Sequence, residues 1–404
     1  MQKFNYSARD VAGNKIVKSV VEAESERSAA KLLMEQGMVP LTITPAEAEG
    51  GLLTSLKNHV STRDRVIFTR QLATLINAGL PLAQSLHTVA EQTANQRLQT
   101  IARDIITRVE GGSTLSDAFA KHGDVFSDLF VALIAAGEAS GTLDKALERI
   151  ASQQEKDAEI LSKVRGAMVY PAIVLVVILG VIIFMMLTVV PQIQRLYKDL
   201  RATLPFITAS MVYIANFMTK YWWLILIALG VSVYFLRQYV KTDAGRHNLD
   251  RLKMNLPMFG VMFRKLYMAR FARTGETLLA TGVPMLEMLK ISARSVGNSL
   301  VAKSIERAAE KVKSGKALSV ALKNDANILP LVPQMISIGE QSGGIDTMMG
   351  KAASFYEGDL DNTIRSISTA IEPILMVVLA AVAGLMVAAI LLPVYGLIGS
   401  GALR

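Results

Sequence analysis

The sequence predicts a mainly α-helical integral membrane protein, with two homologous cytoplasmic all-α bundle domains, three transmembrane helices and a small N-terminal α/β module. Three observations predict it. Long uncharged stretches interrupt a chain that is still 19% charged. Residues 68–82 and 271–285 repeat one pattern. The segments between the repeated motifs carry apolar residues at helical spacing rather than in alternation.

The uncharged stretches come first. Residues 172–190 form a run of 19 without charge, and 374–398 a run of 25, against the roughly 20 needed to cross a bilayer. A third run, 221–236, has 16 residues and opens with Trp222 and Trp223. It reaches across if Lys220 snorkels and the residues near Phe217 join the helix. Pro171 and Pro373 precede the first and last runs, where proline suits a first helical turn. Pro191 and Pro393 stand at the far ends, and Ala380, Gly384 and Ala388 make a small-residue stripe at four-residue spacing.

The duplication is the most specific signal. FTRQLATLINAGLPL and FARTGETLLATGVPM share six of fifteen positions, where composition alone gives roughly one. The common pattern is Phe-x-Arg-x-x-x-Thr-Leu-x-x-x-Gly-x-Pro, built on Phe68, Arg70, Gly79 and Pro81 and again on Phe271, Arg273, Gly282 and Pro284. Gly112 to Ser116 answers Gly315 to Ser319 at an offset of 203, and Gly137-Glu138-Ala139-Ser140-Gly141 answers Gly339-Glu340-Gln341-Ser342-Gly343 at 202. A glycine able to end a helix, followed by a proline able to start one, reads as an αα-hairpin used twice. Copies that fold alike belong on one side of the membrane. The middle run must therefore cross too. The resulting order is a module at 1–50, a first helical domain at 52–169, spans at 172–190 and 217–236 joined by a short periplasmic segment at 191–216, a second domain at 242–370 and a last span at 374–398.

Within the module, 4–8, 15–22 and 40–44 read as extended and 25–36 as a helix ended by Gly37. A Gly50-Gly51 linker follows. No apolar run follows a basic start, so no cleaved leader is expected. The chain has no cysteine, which excludes disulfides and thiolate chemistry and fits a reducing compartment. Residues 1–169 carry 19 Lys/Arg against 20 Asp/Glu, and 237–373 carry 19 against 13. That excess suits acidic lipid better than nucleic acid. Lys163, Arg165, Arg237 and Lys241 flank the first two spans on the proposed cytoplasmic side, although loop 191–220 holds Arg195, Lys198, Arg201 and Lys220 as well.

Catalytic signatures are missing. Gly315-Lys316 lacks the upstream glycine of a phosphate loop, and His59, His87, His122 and His247 are scattered without ligand spacing. No metal or cofactor is expected. Glu138 and Glu340 admit a hydrolytic reading, but small residues around a helix end favour packing. In the packing reading the glutamate caps a backbone amide or pairs with Arg70 or Arg273.

On these motifs, with Glu372-Pro373 at the entry to the last span, the chain resembles the inner-membrane platform proteins of type IV pilus and type II secretion machines. The first copy has Tyr170-Pro171 there, so a role for Glu372 does not extend to both halves. The resemblance implies a non-enzymatic scaffold in the bacterial inner membrane, with its N-terminus cytoplasmic and its C-terminus outside. It implies as partners a cytoplasmic hexameric assembly or retraction ATPase, pilin or pseudopilin subunits, other inner-membrane assembly proteins and further copies of the chain. A pilus machine is the first reading and a secretion system the second. A transporter subunit is the alternative of another class, and uncharged span interiors with same-facing soluble repeats speak against it.

Overall fold

The structure is a computed structural model describing residues 2–10, 16–23, 26–35, 38–45, 59–199 and 206–399. Contacts divide the chain into two compact units, Met1–Asp64 with Thr93–Ile101, and Arg65–Gln92 with Ala102–Arg404.

In the first unit, strands β1 (Gln2–Asp10), β2 (Ile16–Ala23) and β3 (Met38–Pro45) form an antiparallel sheet in the order β2-β1-β3. A register shift between Ser7 and Ala8 interrupts the β1–β3 pairing. Helix α1 (Glu26–Glu35) packs on the sheet, and Leu33, Ala8 and Ala23 are buried. The expected order of two extended stretches, a helix and a third extended stretch is present; β1 and β3 are longer than the expected 4–8 and 40–44, while β2 keeps the expected length shifted by one residue. Gly37 and the Gly50-Gly51 linker lie outside the described residues. Near the start of the next helix, Ser61 and Asp64 exchange backbone-to-side-chain hydrogen bonds of 3.0 and 3.2 Å, a reciprocal helix cap.

The helices then run α2 (Thr62–Asn77), α3 (Leu82–Gln92), α4 (Gln96–Glu110), α5 (Leu115–Ala120), α6 (Asp128–Ser140) and α7 (Leu143–Asp199). After α8 (Phe206–Lys241) and α9 (Asp243–Asn255), the same series returns as α10 (Phe259–Leu279), α11 (Met285–Ser295), α12 (Ser299–Lys313), α13 (Leu318–Leu322), α14 (Leu331–Ser342) and α15 (Ile345–Gly399). Burial follows the repeat residue by residue. Ala102, Ile105 and Ile106 answer Ile305, Ala308 and Ala309, while Leu115, Ala118 and Phe119 answer Leu318, Ala321 and Leu322. The offset falls from 203 to 202 between Val125/Ile328 and Phe130/Val332, so the missing residue belongs to the turn before α14.

One expectation is corrected. The first and last spans are not separate helices opened by proline. α7 runs 57 residues from the first bundle, with Pro171 and Pro191 inside it, and α15 runs 55 with Pro373 and Pro393 inside. Proline within a spanning helix is tolerated because neighbouring helices and small local adjustments satisfy the freed carbonyl. Each bundle's last helix is therefore also its membrane stem. α8 breaks at Tyr221 (φ −115°, ψ 18°), and its straight part, 222–241, is about 30 Å long at 1.5 Å per residue. Before that break Val212 and Ala215 bury against Val190 and Met186, so the 191–216 segment begins and ends as paired helix. Among the described residues, three helices are long and apolar enough to cross a membrane.

Candidate functional site

The repeated motifs converge on two places in each bundle. The first is the end of the helix carrying Gly-Glu-x-Ser-Gly. Gly141 ends α6 at φ 69°, and Gly343 ends α14 at φ 74°, a left-handed conformation that costs a Cβ-bearing residue more than glycine. Four residues earlier, an added Cβ on Gly137 would lie 2.5 Å from Ala146 Cβ, and one on Gly339 would lie 2.6 Å from Ile345 Cα. These glycines let the next helix double back in contact.

The glutamates bond the start of a neighbouring short helix. Glu138 Oε1 accepts from the Leu115 backbone N–H at 2.7 Å, and Oε2 accepts from Ser116 N–H at 3.2 Å and Ser116 Oγ at 2.9 Å. Glu340 Oε1 accepts from Ser319 N–H at 3.2 Å, and its other oxygen accepts from the Ser319 hydroxyl. Each carboxylate thus caps the N-terminus of the short helix α5 or α13, where backbone donors have no intrahelical partner.

Gly79 and Gly282 both lie at φ 84°, and Pro81 and Pro284 accept the first turn's hydrogen bonds from Ser85 and Met288 at 2.9 Å. Phe68 and Phe271 are buried at 1% and 0% exposure.

The second place is the ion pair between the first helix and the stem. Arg70 Nε and Nη2 donate to both oxygens of Glu155 at 2.6 Å, and Nη1 donates to Glu148 at 2.6 Å. Arg273 donates likewise to both oxygens of Glu357, at 2.8 and 2.6 Å, and to Glu276 at 2.6 Å. The Glu155 hydrogen bonds hold the Arg70 guanidinium above its ordinary value. Burial opposes the charge on Arg273, and Glu357 and Glu276 together outweigh it and hold the guanidinium above its ordinary value. The arginines thus tie α2 to α7 and α10 to α15, and neither meets Glu138 or Glu340.

The stems also meet one another. Lys163 donates to Asp361 at 2.6 Å, and Lys156 and Arg270 stand 3.9 Å from Glu357 and Asp157. Beside them a cleft of about 750 Å³ opens between the repeats, with Arg149, Lys156, Asp346 and Lys351 on its walls. Glu372 is exposed on α15, followed directly by Pro373 and the uncharged run. Sequence reading missed Glu148, Glu155, Glu276 and Glu357. The offset of 202 linking Glu155 to Glu357 was the signal available for one pair. Among the described residues, no group of three or more His, Asp or Glu is placed to hold a metal ion.

These features define a class: a multi-pass membrane protein in which a duplicated helical bundle continues into membrane stems. The chain belongs to the type II secretion system protein F family, whose model matches residues 68–191 and 271–393, and the N-terminal domain of that family matches 1–44. It is similar to the type IV pilus assembly protein PilC of Thermus thermophilus, at 39% identity over 99% of each chain. The PilC of Myxococcus xanthus is 34% identical over 98% of this chain and 95% of its own length. The type II secretion system protein F of Vibrio cholerae is 32% identical over 98% of both.

Proposed function

We infer that this chain is the inner-membrane platform of a type IV pilus assembly machine, coupling a cytoplasmic assembly ATPase to the insertion or removal of pilin subunits. The observation that carries the reading is end-to-end similarity to a pilus assembly protein at 39% identity, against 32% for a secretion-system relative. In this reading the chain is a scaffold and the partner supplies the energy. The two bundles form the cytoplasmic face, since stems that pair through Lys163 and Asp361 share one aqueous side. Two crossings between the bundles then put the N-terminus inside and the C-terminus outside. The domains are proposed as 52–169 and 242–370, with the motif residues acting as packing and interface elements. Further copies of the chain and other inner-membrane assembly proteins complete the machine.

Deleting the gene in its own host tests the reading. Loss of surface pili with intact protein secretion is the expected result. Intact pili with lost secretion overturns it in favour of a type II secretion platform, which full-length similarity to such proteins keeps as the second reading. A pull-down of the detergent-solubilised chain against the cognate ATPase tests the partner, and absence of binding counts against it.

A further inference from the structure

We propose that helix α9 and the elbow that follows it, residues 243–261, form an interfacial segment whose exposed ridge seats in the anionic headgroup layer of the bilayer that α8 crosses.

The placement starts with α8. Trp222 and Trp223 are exposed at one end of its straight part, and Tyr234, Phe235 and Tyr239 at the other. Amphipathic rings at both ends mark the two headgroup levels of a span. Tyr239 therefore sits at the second interface, and α9 is bound to it. Asn248 Nδ2 donates to Tyr239 Oη at 2.8 Å, and Thr242 caps α9 within one residue of the end of α8. A Cβ on Gly245 would lie 1.8 Å from the Tyr239 carbonyl oxygen, so only glycine allows α9 to turn this tightly against the last turn of the span. α9 thus lies at headgroup depth.

Its two faces differ. Gly245, Asp250 and Met254 are buried. Asp250 accepts from the Ser299 backbone N–H at 2.9 Å, which fixes that face to the second repeat. The opposite side exposes Leu252 (56%), Leu256 (39%), Met258 (40%) and Val261 (55%). Met258 has φ 64°, and the Phe259 N–H reaches the Pro257 carbonyl at 2.8 Å. This γ-turn is a strained form, and it sets an apolar side chain at the tip of the elbow. Around the ridge, 237–265 holds seven Lys/Arg and two Asp. Among the described residues, Arg237, Lys241, Arg246 and Arg251 have no carboxylate within 4.0 Å.

An apolar ridge flanked by unpaired cations, continuous with a span, matches a surface-lying helix with its ridge about 5–10 Å into the headgroup boundary. The cations select anionic over neutral lipid near the surface. The inference rests on α8 crossing a bilayer and is independent of which machine the chain serves.

The absence of cysteine makes the experiment direct. Leu252→Cys, Leu256→Cys and Val261→Cys carry nitroxide labels in the full-length chain, in nanodiscs of phosphatidylcholine with or without phosphatidylglycerol. Leu229→Cys in α8 reports the bilayer, and Lys316→Cys between α12 and α13 reports water. The expected ratio of oxygen to polar-relaxant collisions at the ridge lies between those at 229 and 316 and clearly above that at 316, as interfacial depth requires. It rises further with phosphatidylglycerol, and Arg246→Gln with Arg251→Gln removes that rise. Ridge labels as water-accessible as 316 in both lipids overturn the proposal. So do labels shielded only when the cognate ATPase is added, which would make the ridge a protein-docking surface.

Discussion

The two helical repeats keep one geometry with exchanged residues, and the exchanges are coupled. In the first repeat the arginine's second partner is Glu148 on the stem, with Ala73 on the first helix. In the second it is Glu276 on the first helix, with Gly350 on the stem. The glycine is required there, because a Cβ would lie 2.7 Å from Glu276 Oε1. Leu72 and Leu147, both buried, become Gly275 and Met349, and the methionine fills the space of the lost side chain, 2.1 Å from where a Cβ would stand. His122 and Asp104, 2.8 Å apart, become Asp325 and Arg307, 2.7 Å apart, with the carboxylate moved to the other side of the contact. The phenylalanine cluster of Phe68, Phe119, Phe126 and Phe130 is replaced beyond Phe271 by Leu322, Leu329 and Val332. The lesson is that charge and volume are conserved per contact rather than per position.

The largest expected difference between the repeats lies at the arginines. Arg273 and Glu357 are 12% and 20% exposed, against 31% and 43% for Arg70 and Glu155. Arg273→Ala strands two poorly hydrated carboxylates and should cost about 3 kcal/mol, whereas Arg70→Ala should cost about 1 kcal/mol. Thermal unfolding of the detergent-solubilised chain separates them, and equal losses would break the comparison.

Gly275→Leu, which imports the first repeat's residue alone, should cost about 2 kcal/mol through overpacking against Met349. Adding Met349→Leu should recover most of it, and a double variant as unstable as the single would show that volume is not shared between these positions.

Smaller again is the helix cap. Glu340→Gln keeps an acceptor for Ser319 but loses the charge at the N-terminus of α13, so about 1 kcal/mol is expected, with Glu138→Gln alike. The same stability loss with no defect in pilus assembly would mark the motif as architecture alone.

The smallest effect is on pH. Burial raises Asp325, but Arg307, the Asn327 amide and the Ser304 hydroxyl outweigh it and hold the carboxyl below its ordinary value. A depressed carboxyl stabilises the fold above its unfolded value of about 3.9 and loses that contribution as pH falls through the lower folded value. Asp325→Asn should therefore unfold at a lower temperature than the parent at pH 7, and the gap should close towards pH 3.

Much of this was legible from local chemistry. Helix ends at Gly79, Gly141, Gly282 and Gly343 and the starts after Pro81 and Pro284 follow from backbone preferences that any reader of the chain can apply. The ion pairs were not legible, because Arg70 and Glu155 are 85 residues apart and nothing local selects one surface glutamate over another. The prolines misled for a related reason. Pro171 and Pro373 stop a helix in water, where a freed carbonyl has solvent as a competitor, but not in a stem whose neighbours keep the helix closed.

By itself, then, the sequence determined the class of protein: spans from runs of uncharged residues, two like bundles from a repeat, and turns from glycine and proline. Those properties are set by residues near in the chain. The tertiary structure decided that each bundle runs unbroken into its membrane stem, which glutamate each arginine holds, and that Glu138 and Glu340 cap helices instead of pairing with those arginines. These depend on which distant surfaces exclude water together, and only the packed chain fixes that.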